Sequence, residues 1–418
     1  MRIYNTLSRK IEDFSPMREQ VTLYVCGITP YDTTHLGHAF TYSTADILVR
    51  YLELNGYPVR YVQNVTDIDD DILRKANQVG EDWRSLGNRW TRHFIDDMIA
   101  LNIRPPDEFP RATDVIEQII AMVQDLLEAG VAYEASGNVY FDLDTWPEYG
   151  KLSRIPRQEM LPVANERGNK PDDPHKKSPL DFVLWQAQSP GEPAWESPWG
   201  LGRPGWHIEC SAMSTCYLDK TIDVHMGGED LVFPHHESEI AQVEPVSGEI
   251  PFVSYWIHIA MVQYDGEKMS KSLGNLVMIR DLLEEWSSDT VRIYMALHHY
   301  RQAWGHNQEE LAQADKLAEK FKAAVQAEPG IVEVFDPLPF RVAFSEAMDN
   351  DLDTNSALQV LSELADGITS AAELGKDISM SQAVLRTLSG TLGLRLDIAT
   401  PDSRVTNGWG EHLQRFQG

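Results

Sequence analysis

Cysteine is scarce in this sequence. The 418 residues contain three, Cys26, Cys210 and Cys216, too few and too scattered to staple a chain of this length. A disulfide scaffold is excluded, and in a reducing compartment an isolated cysteine is ordinarily a small buried hydrophobe. Positive charge is also short: 36 Lys+Arg stand against 64 Asp+Glu, a formal net charge of −28. A protein that works mainly by gripping phosphate backbones shows a broad basic face, so any such face here is local. No uncharged apolar run approaches the ~20 residues of a membrane-spanning helix. The opening MRIYNTLSRK lacks an apolar leader stretch, so the expected location is the cytoplasm, with no membrane partner. What is present, 42% hydrophobic and 24% charged residues, describes a folded globular chain. At roughly 100–200 residues per domain, its length predicts two or three domains.

Along the chain, VTLYVCGITPY (21–31) is a β-branched apolar run ending in Gly and Pro, a buried strand followed by a turn. THLGHAFTYSTADILVRYLELNG carries apolar residues at helical spacing and stops on Gly. YPVRYVQNV is a second strand, and TDIDDDILRKANQVG a second helix with aspartates at its positive end. This alternation predicts an α/β fold, a Rossmann-like, doubly wound parallel sheet whose ligands sit at the carboxyl ends of the strands. From about 100 to 205 the pattern loosens into two helices (113–130), short strands such as NVYFDLD and the polar loop NERGNKPDDPHKKSP, read as an insertion. The parallel pattern returns at TIDVHMGGED and PFVSYWIHIAMV. The expected division is a catalytic domain over 1–280 carrying that insertion, a helical bundle over 281–395, and a polar, irregular tail over 396–418. Within the bundle, amphipathic stretches cover 308–327, 341–374 and 380–393.

Three groups of residues carry chemistry. HLGH (His35 to His38) sits where the first strand hands over to a helix, whose free N–H groups and partial positive charge suit a phosphate. The two imidazoles share a helix face and could hydrogen-bond a triphosphate, while Gly37 lets it approach the backbone. Taken alone they could equally be a metal pair or two surface histidines. DGEKMSKSLGN (265–275) places Lys268 and Lys271 three apart among small hydroxyl residues, between Gly266 and Gly274. Such a loop can close two ammonium groups over a pyrophosphate leaving group, or simply be solvated. Third, Cys26 ends the first strand, Cys210 lies in GRPGWHIECSAM, and His235 and Glu239 lie four apart in FPHHESE. Two thiolates, an imidazole and a carboxylate make a plausible Zn²⁺ set; the alternative is two core cysteines beside a helix of surface His and Glu. Cys216, six residues past Cys210, reads as a core residue.

HLGH followed more than 200 residues later by KMSKS, on this fold, resembles the class I aminoacyl-tRNA synthetases. WHIECSAM, FPHHE and NVTDIDD narrow the resemblance to the cysteinyl-tRNA synthetase family over residues 1 to about 395. The resemblance implies zinc on Cys26, Cys210, His235 and Glu239, taking the thiolate of the substrate cysteine. It also implies a cysteine pocket lined by Gly27, Thr66 and Trp206. Apart from it, Thr66 could be the N-cap of the second helix and Trp206 a core residue. ATP is implied near His35, Gly37, His38, Gly228, Asp230 and Lys271, with Lys268 and Lys271 on the departing pyrophosphate. Mg²⁺ is expected with the triphosphate, on no assignable protein ligand. The choice of metal has a physical basis, since serine differs from cysteine by one atom that a shape-based pocket reads poorly. A thiophilic metal reads it well, because no comparably stable hydroxyl complex forms near neutral pH.

The expected acceptor is tRNA(Cys), and a monomer is the expected state. A second reading stays open, a small amine such as a glucosaminyl-inositol. CGITPYDTTHLGHA (26–39) and NERGNKPDDPHK are similar to the mycothiol ligase branch of this family, and a charge of −28 suits a small acceptor better than a polyanion. In addition, the tail over 396–418 does not resemble an anticodon-binding domain. Glu239, in HHESE, is the synthetase form. A third reading, an inactive cysteine- or ATP-binding regulator, sits poorly with three complete motif sets.

Overall fold

The structure, a computed structural model, describes residues 1–32, 34–264, 266–269, 275–396 and 403–416. Four parallel strands form its centre: β1 (Val21–Ile28), β2 (Val59–Val65), β3 (Ile222–Gly228) and β4 (Val253–Ile259), in the order β4-β3-β1-β2. The run VTLYVCGI is buried almost throughout, as a strand covered on both faces must be. After β1 the chain crosses through α1 (Leu36–Leu54) to β2 on one side. β3 lies on the other side of β1 and leads through α5 (Glu237–Ser247) to β4. The direction of winding therefore reverses between β1 and β3, and the crevice beyond their carboxyl ends is where such sheets bind ligands.

Between β2 and β3 the chain adds α2 (Asp70–Val79), α3 (Trp83–Ala100) and a further unit. That unit is a four-stranded antiparallel sheet (132–135, 138–141, 182–187 and 202–204) with helices Ile116–Glu128 and Arg157–Glu166; over 113–130 there is a single α-helix, where the sequence suggested two. Its returning strand runs into α4 (Trp206–Tyr217), a helix buried over its first nine residues apart from a half-exposed Trp206. Residues 108–111 add to the free edge of β2 through bridges Val62–Glu108 and Val65–Arg111.

The C-terminal helices are α6 (Gln308–Gln326), α7 (Leu338–Asp349), α8 (Thr354–Glu373) and α9 (Ser379–Thr391). The amphipathic stretch 341–374 is thus two helices rather than one. Its break has a clear cause in Asp351, whose backbone turns to φ 60° and aims the carboxylate inward. There Oδ1 accepts hydrogen bonds from the Tyr4 amide (2.8 Å) and the Tyr300 hydroxyl (2.6 Å). The bundle is fastened to the sheet layer by a buried ion pair, Arg292 to Asp46 on α1 at 2.6 Å. Burial pushes the Asp46 carboxyl up, but Arg50 and Arg292 outweigh it and hold the group below its ordinary range. Arg292 also donates to the carbonyls of Leu392 and Leu101, so a charge that would be costly alone has every side satisfied.

The tail departs from expectation. Ser403–Gln414 forms a helix, α10, instead of irregular chain, because Val405 and Trp409, four apart, are buried on one face, with Phe416 buried just beyond its end. Trp409 packs edge-on against Phe109 and donates its indole N–H to the Ile103 carbonyl at 2.8 Å. Among the described residues, no helix is long and apolar enough to cross a membrane.

Candidate active site and metal centre

A cavity of about 1150 Å³ opens at the switch point between β1 and β3. One end is built from side chains far apart in sequence. The pairing of β1 with β2 slips between Val25 and Ile28, and Gly27 marks the slip. A Cβ there would sit 1.5 Å from the Asn64 carbonyl oxygen, so only glycine lets the strands close. The irregularity sets Cys26 at the cavity wall. Cys210 arrives from α4, and His235 from the tight turn 232–236 that feeds α5, which carries Glu239.

All four side chains are buried, and one donor atom from each lies within 4.8 Å of the others. His235 Nε2 is 3.3 Å and Cys26 Sγ 3.9 Å from Glu239 Oε1. Tetrahedral ligands around Zn²⁺ are separated by roughly 3.3–3.8 Å, so this set fits the ion. The chemistry fits as well. Glu239 is fully buried, and the ion-pair partners described for it are histidines: His225, His235 and His236. Burial, with the neighbouring imidazoles adding, holds His235 and His236 well below the usual histidine range, so they do not supply the missing positive charge. Burial likewise pushes the Cys26 thiol up, with Cys210 and Glu239 reinforcing it. A cation among these donors removes both penalties.

Sequence reasoning missed a second, overlapping group: Cys26, His225, His236 and Glu239 also bring their donor atoms within 4.8 Å. His225 Nε2 lies 3.0 Å from Glu239 Oε2, and His236 Nε2 3.3 Å from Cys26 Sγ. The available signal was a histidine in each of two otherwise apolar strands, DVHMGG and YWIHIA, together with the second His of FPHHE. Cys216 corrects another expectation, since it is exposed rather than in the core. Six residues along a helix is a rotation of roughly 240° from Cys210, which carries it to the outer face.

Gly27, Thr66 and Trp206 all line the cavity. The Trp206 ring stacks on His235 at 4.4 Å, and His207 Nδ1 meets His235 Nδ1 at 2.9 Å. Thr66 is buried, its hydroxyl accepting from Asn64 Nδ2 at 3.1 Å. It is not the cap of α2; Asp69 fills that role by accepting from the Asp71 amide. Burial pushes the Asp69 carboxyl up to about 6.

The other end of the cavity is local in sequence. His35 caps α1, its Nδ1 accepting from the Gly37 amide at 3.1 Å, and its ring stacks on His38 at 3.8 Å. A Cβ on Gly37 would meet the His35 ring at 3.0 Å. Gly228, the last residue of β3, and Asp230 just after it also line the cavity. Leu36 donates to the Val277 carbonyl, and Ile279 to that of Thr34, so the chain just beyond the KMSKS stretch is bonded to HLGH. Met269, inside that stretch, lines the same cavity. Lys268 lies in a two-residue strand paired with Val262–Tyr264. Lys271 lies outside the described residues.

Comparison with known proteins gives the family. The family described as tRNA synthetases class I (C) catalytic domain matches residues 13–316, and the DALR domain matches residues 343–397. The cysteine–tRNA ligase of Dehalococcoides mccartyi (strain ATCC BAA-2266 / KCTC 15142 / 195) is 47% identical over 406 residues, covering 96% of this chain and 88% of that one. The enzyme of the same name from Thermococcus onnurineus (strain NA1) is 44% identical over 384 residues, covering 88% of this chain and 80% of its own. Among solved structures, Mycobacterium tuberculosis methionyl-tRNA synthetase in complex with methionyl-adenylate superposes with a TM-score of 0.65 over 96% of this chain and 93% of that one. At 17% identity that likeness shows the fold alone. The fold is that of a class I synthetase catalytic domain followed by a helical DALR domain. More narrowly, the chain belongs to the cysteine–tRNA ligase family.

Proposed function

We propose that this protein activates cysteine with ATP, releasing pyrophosphate and forming cysteinyl adenylate, and passes the cysteinyl group to tRNA(Cys) in the cytoplasm. One observation carries the reading: Cys26, Cys210, His235 and Glu239 converge from four elements on one buried point of the switch-point cavity. Zinc is the ion this donor set suits, and when bound it supplies a thiolate-selective contact that serine's hydroxyl cannot match. Trp206, Thr66 and Gly27 enclose the rest of the amino acid and exclude water around it. The triphosphate of ATP takes the start of α1, beside His35, Gly37 and His38. Mg²⁺ accompanies the triphosphate as counter-ion. Gly228 and Asp230 border the nucleotide.

With the two substrates held, the cysteine carboxylate attacks the α-phosphorus in line and the bond to pyrophosphate breaks. Lys268 and Lys271 accompany the leaving group, while His38 stabilises charge on the phosphates; no covalent bond to the protein is needed. A terminal ribose hydroxyl of tRNA then attacks the carbonyl, and AMP leaves. The relatives' name and the DALR match support tRNA as acceptor.

The test incubates purified protein with ATP, labelled cysteine and deacylated total tRNA, then counts acid-precipitable label with and without ribonuclease. Ribonuclease-sensitive label is the expected result. Cysteine-dependent pyrophosphate exchange without such label would move the acceptor to a small amine, and no exchange would leave only a binding protein.

A further inference from the structure

Behind the four proposed ligands lies a chain of hydrogen bonds that no motif contains. Thr6 Oγ1 is 2.7 Å from His258 Nδ1, His258 Nε2 is 2.7 Å from His236 Nδ1, and His236 Nε2 is 3.3 Å from Cys26 Sγ. All four residues are buried. Thr6 is itself anchored, its amide donating to the Trp256 carbonyl at 2.9 Å, and the Trp256 ring stacks on His225 at 4.5 Å. Two imidazole nitrogens 2.7 Å apart hold one proton between them, and a neutral ring carries one N–H and one lone pair.

The direction of the chain then follows from its last member. A metal-bound thiolate offers only lone pairs, so His236 Nε2 must be the donor to Cys26. Its Nδ1 is left as an acceptor and requires the N–H of His258 Nε2. The His258 Nδ1 lone pair in turn requires the hydroxyl hydrogen of Thr6. His225 stands in the same relation to Glu239, its Nε2 at 3.0 Å from Oε2. Both ligands thus have an imidazole nitrogen within hydrogen-bond reach, in a site that would gather two thiolates, a carboxylate and the substrate's thiolate around a doubly charged ion.

We infer that His236, oriented by His258 and Thr6, is a positioning residue that donates a hydrogen bond to the Cys26 sulfur and lets this anion-rich cluster take up the thiolate of cysteine. The inference rests on the zinc reading of the four ligands. A donor on the Cys26 sulfur draws negative charge away from the ion and fixes the ligand's direction, as outer partners of metal ligands do. The effect belongs to cysteine binding and to metal retention, while the ATP end of the cavity is untouched.

The test uses the whole protein loaded with Co²⁺ in place of zinc, as wild type, His258→Leu, His258→Gln and Thr6→Val. Leucine leaves His236 Nδ1 without its donor, whereas the glutamine amide can replace the lost N–H. His258→Leu should keep one metal per chain but shift the thiolate-to-cobalt absorption band. It should also lose the ion to a chelator about tenfold faster, and raise KM for cysteine in pyrophosphate exchange about tenfold with KM for ATP unchanged. His258→Gln should return toward wild type on all three shifted readings, and Thr6→Val, which keeps both rings, should show the same shifts at smaller amplitude. Wild-type band and release rate in both His258→Leu and Thr6→Val would overturn the inference, as would a glutamine variant that behaves like leucine. A wild-type protein that binds neither Co²⁺ nor zinc would instead overturn the zinc reading itself.

Discussion

The two ends of the active cavity are built on opposite principles. The phosphate end is contiguous: His35, Gly37 and His38 occupy one helix start, and the segment after KMSKS bonds to it through two backbone contacts. The cysteine end is assembled from a strand bulge, a buried helix, a tight turn and a second helix, with His225 and His258 reaching in from two further strands. One end, as proposed, needs a helix terminus and two lysines, which short motifs can encode. The other must hold several anionic groups in burial, and only long-range packing fixes them. On the proposed assignment, nucleotide chemistry is written locally and amino-acid selection globally.

Breaking the cysteine end should have the largest effect. Cys210→Ser is expected to reduce bound zinc to near nothing by metal analysis, and the preference for cysteine over serine in pyrophosphate exchange should collapse to about tenfold or less. Retained zinc with full selectivity would refute the division of labour. At the other end, His38→Ala should slow exchange about 10²–10³-fold while zinc content and KM for cysteine stay unchanged. A parallel loss of zinc would mean the two ends are not separate.

Gly37→Ala is a finer probe. Its new methyl would press on the His35 ring at 3.0 Å and tilt the cap, so exchange should slow about tenfold with zinc again unaffected. The smallest effect is on stability. Burial holds His207 and His258 at about 3, below the ~6.5 of an unfolded chain. A histidine depressed in the fold contributes stability above its unfolded value and loses it as the pH falls. Zinc-stripped protein should therefore unfold at progressively lower denaturant as the pH is taken from about 6.5 toward 3, as read by circular dichroism.

The same contrast explains how much the sequence disclosed. HLGH, KMSKS and the β-α-β alternation are periodic or contiguous, so the sheet, its switch point and the proposed phosphate site could be read directly. The i, i+4 spacing of His235 and Glu239 and the scarcity of cysteine gave the proposed ligands, with the family resemblance deciding between metal and core. What escaped was whatever depends on a partner distant in sequence. Asp351 breaks a helix because Tyr4 and Tyr300 await its carboxylate. Trp409 makes a helix of a polar tail because Phe109 offers a surface. Cys216 turns outward because Cys210 has fixed which face of α4 looks in. His225, His236 and His258 escaped for the same reason, since each is conspicuous only once its strand or turn is known to face the cluster.

Zinc K-edge X-ray absorption of the purified protein, without and with cysteine, tests the central claim most directly. The account predicts one zinc with two sulfur ligands and two lighter ones, gaining a third sulfur with cysteine and none with serine. An absent zinc, or a sulfur count that cysteine does not change, would contradict it.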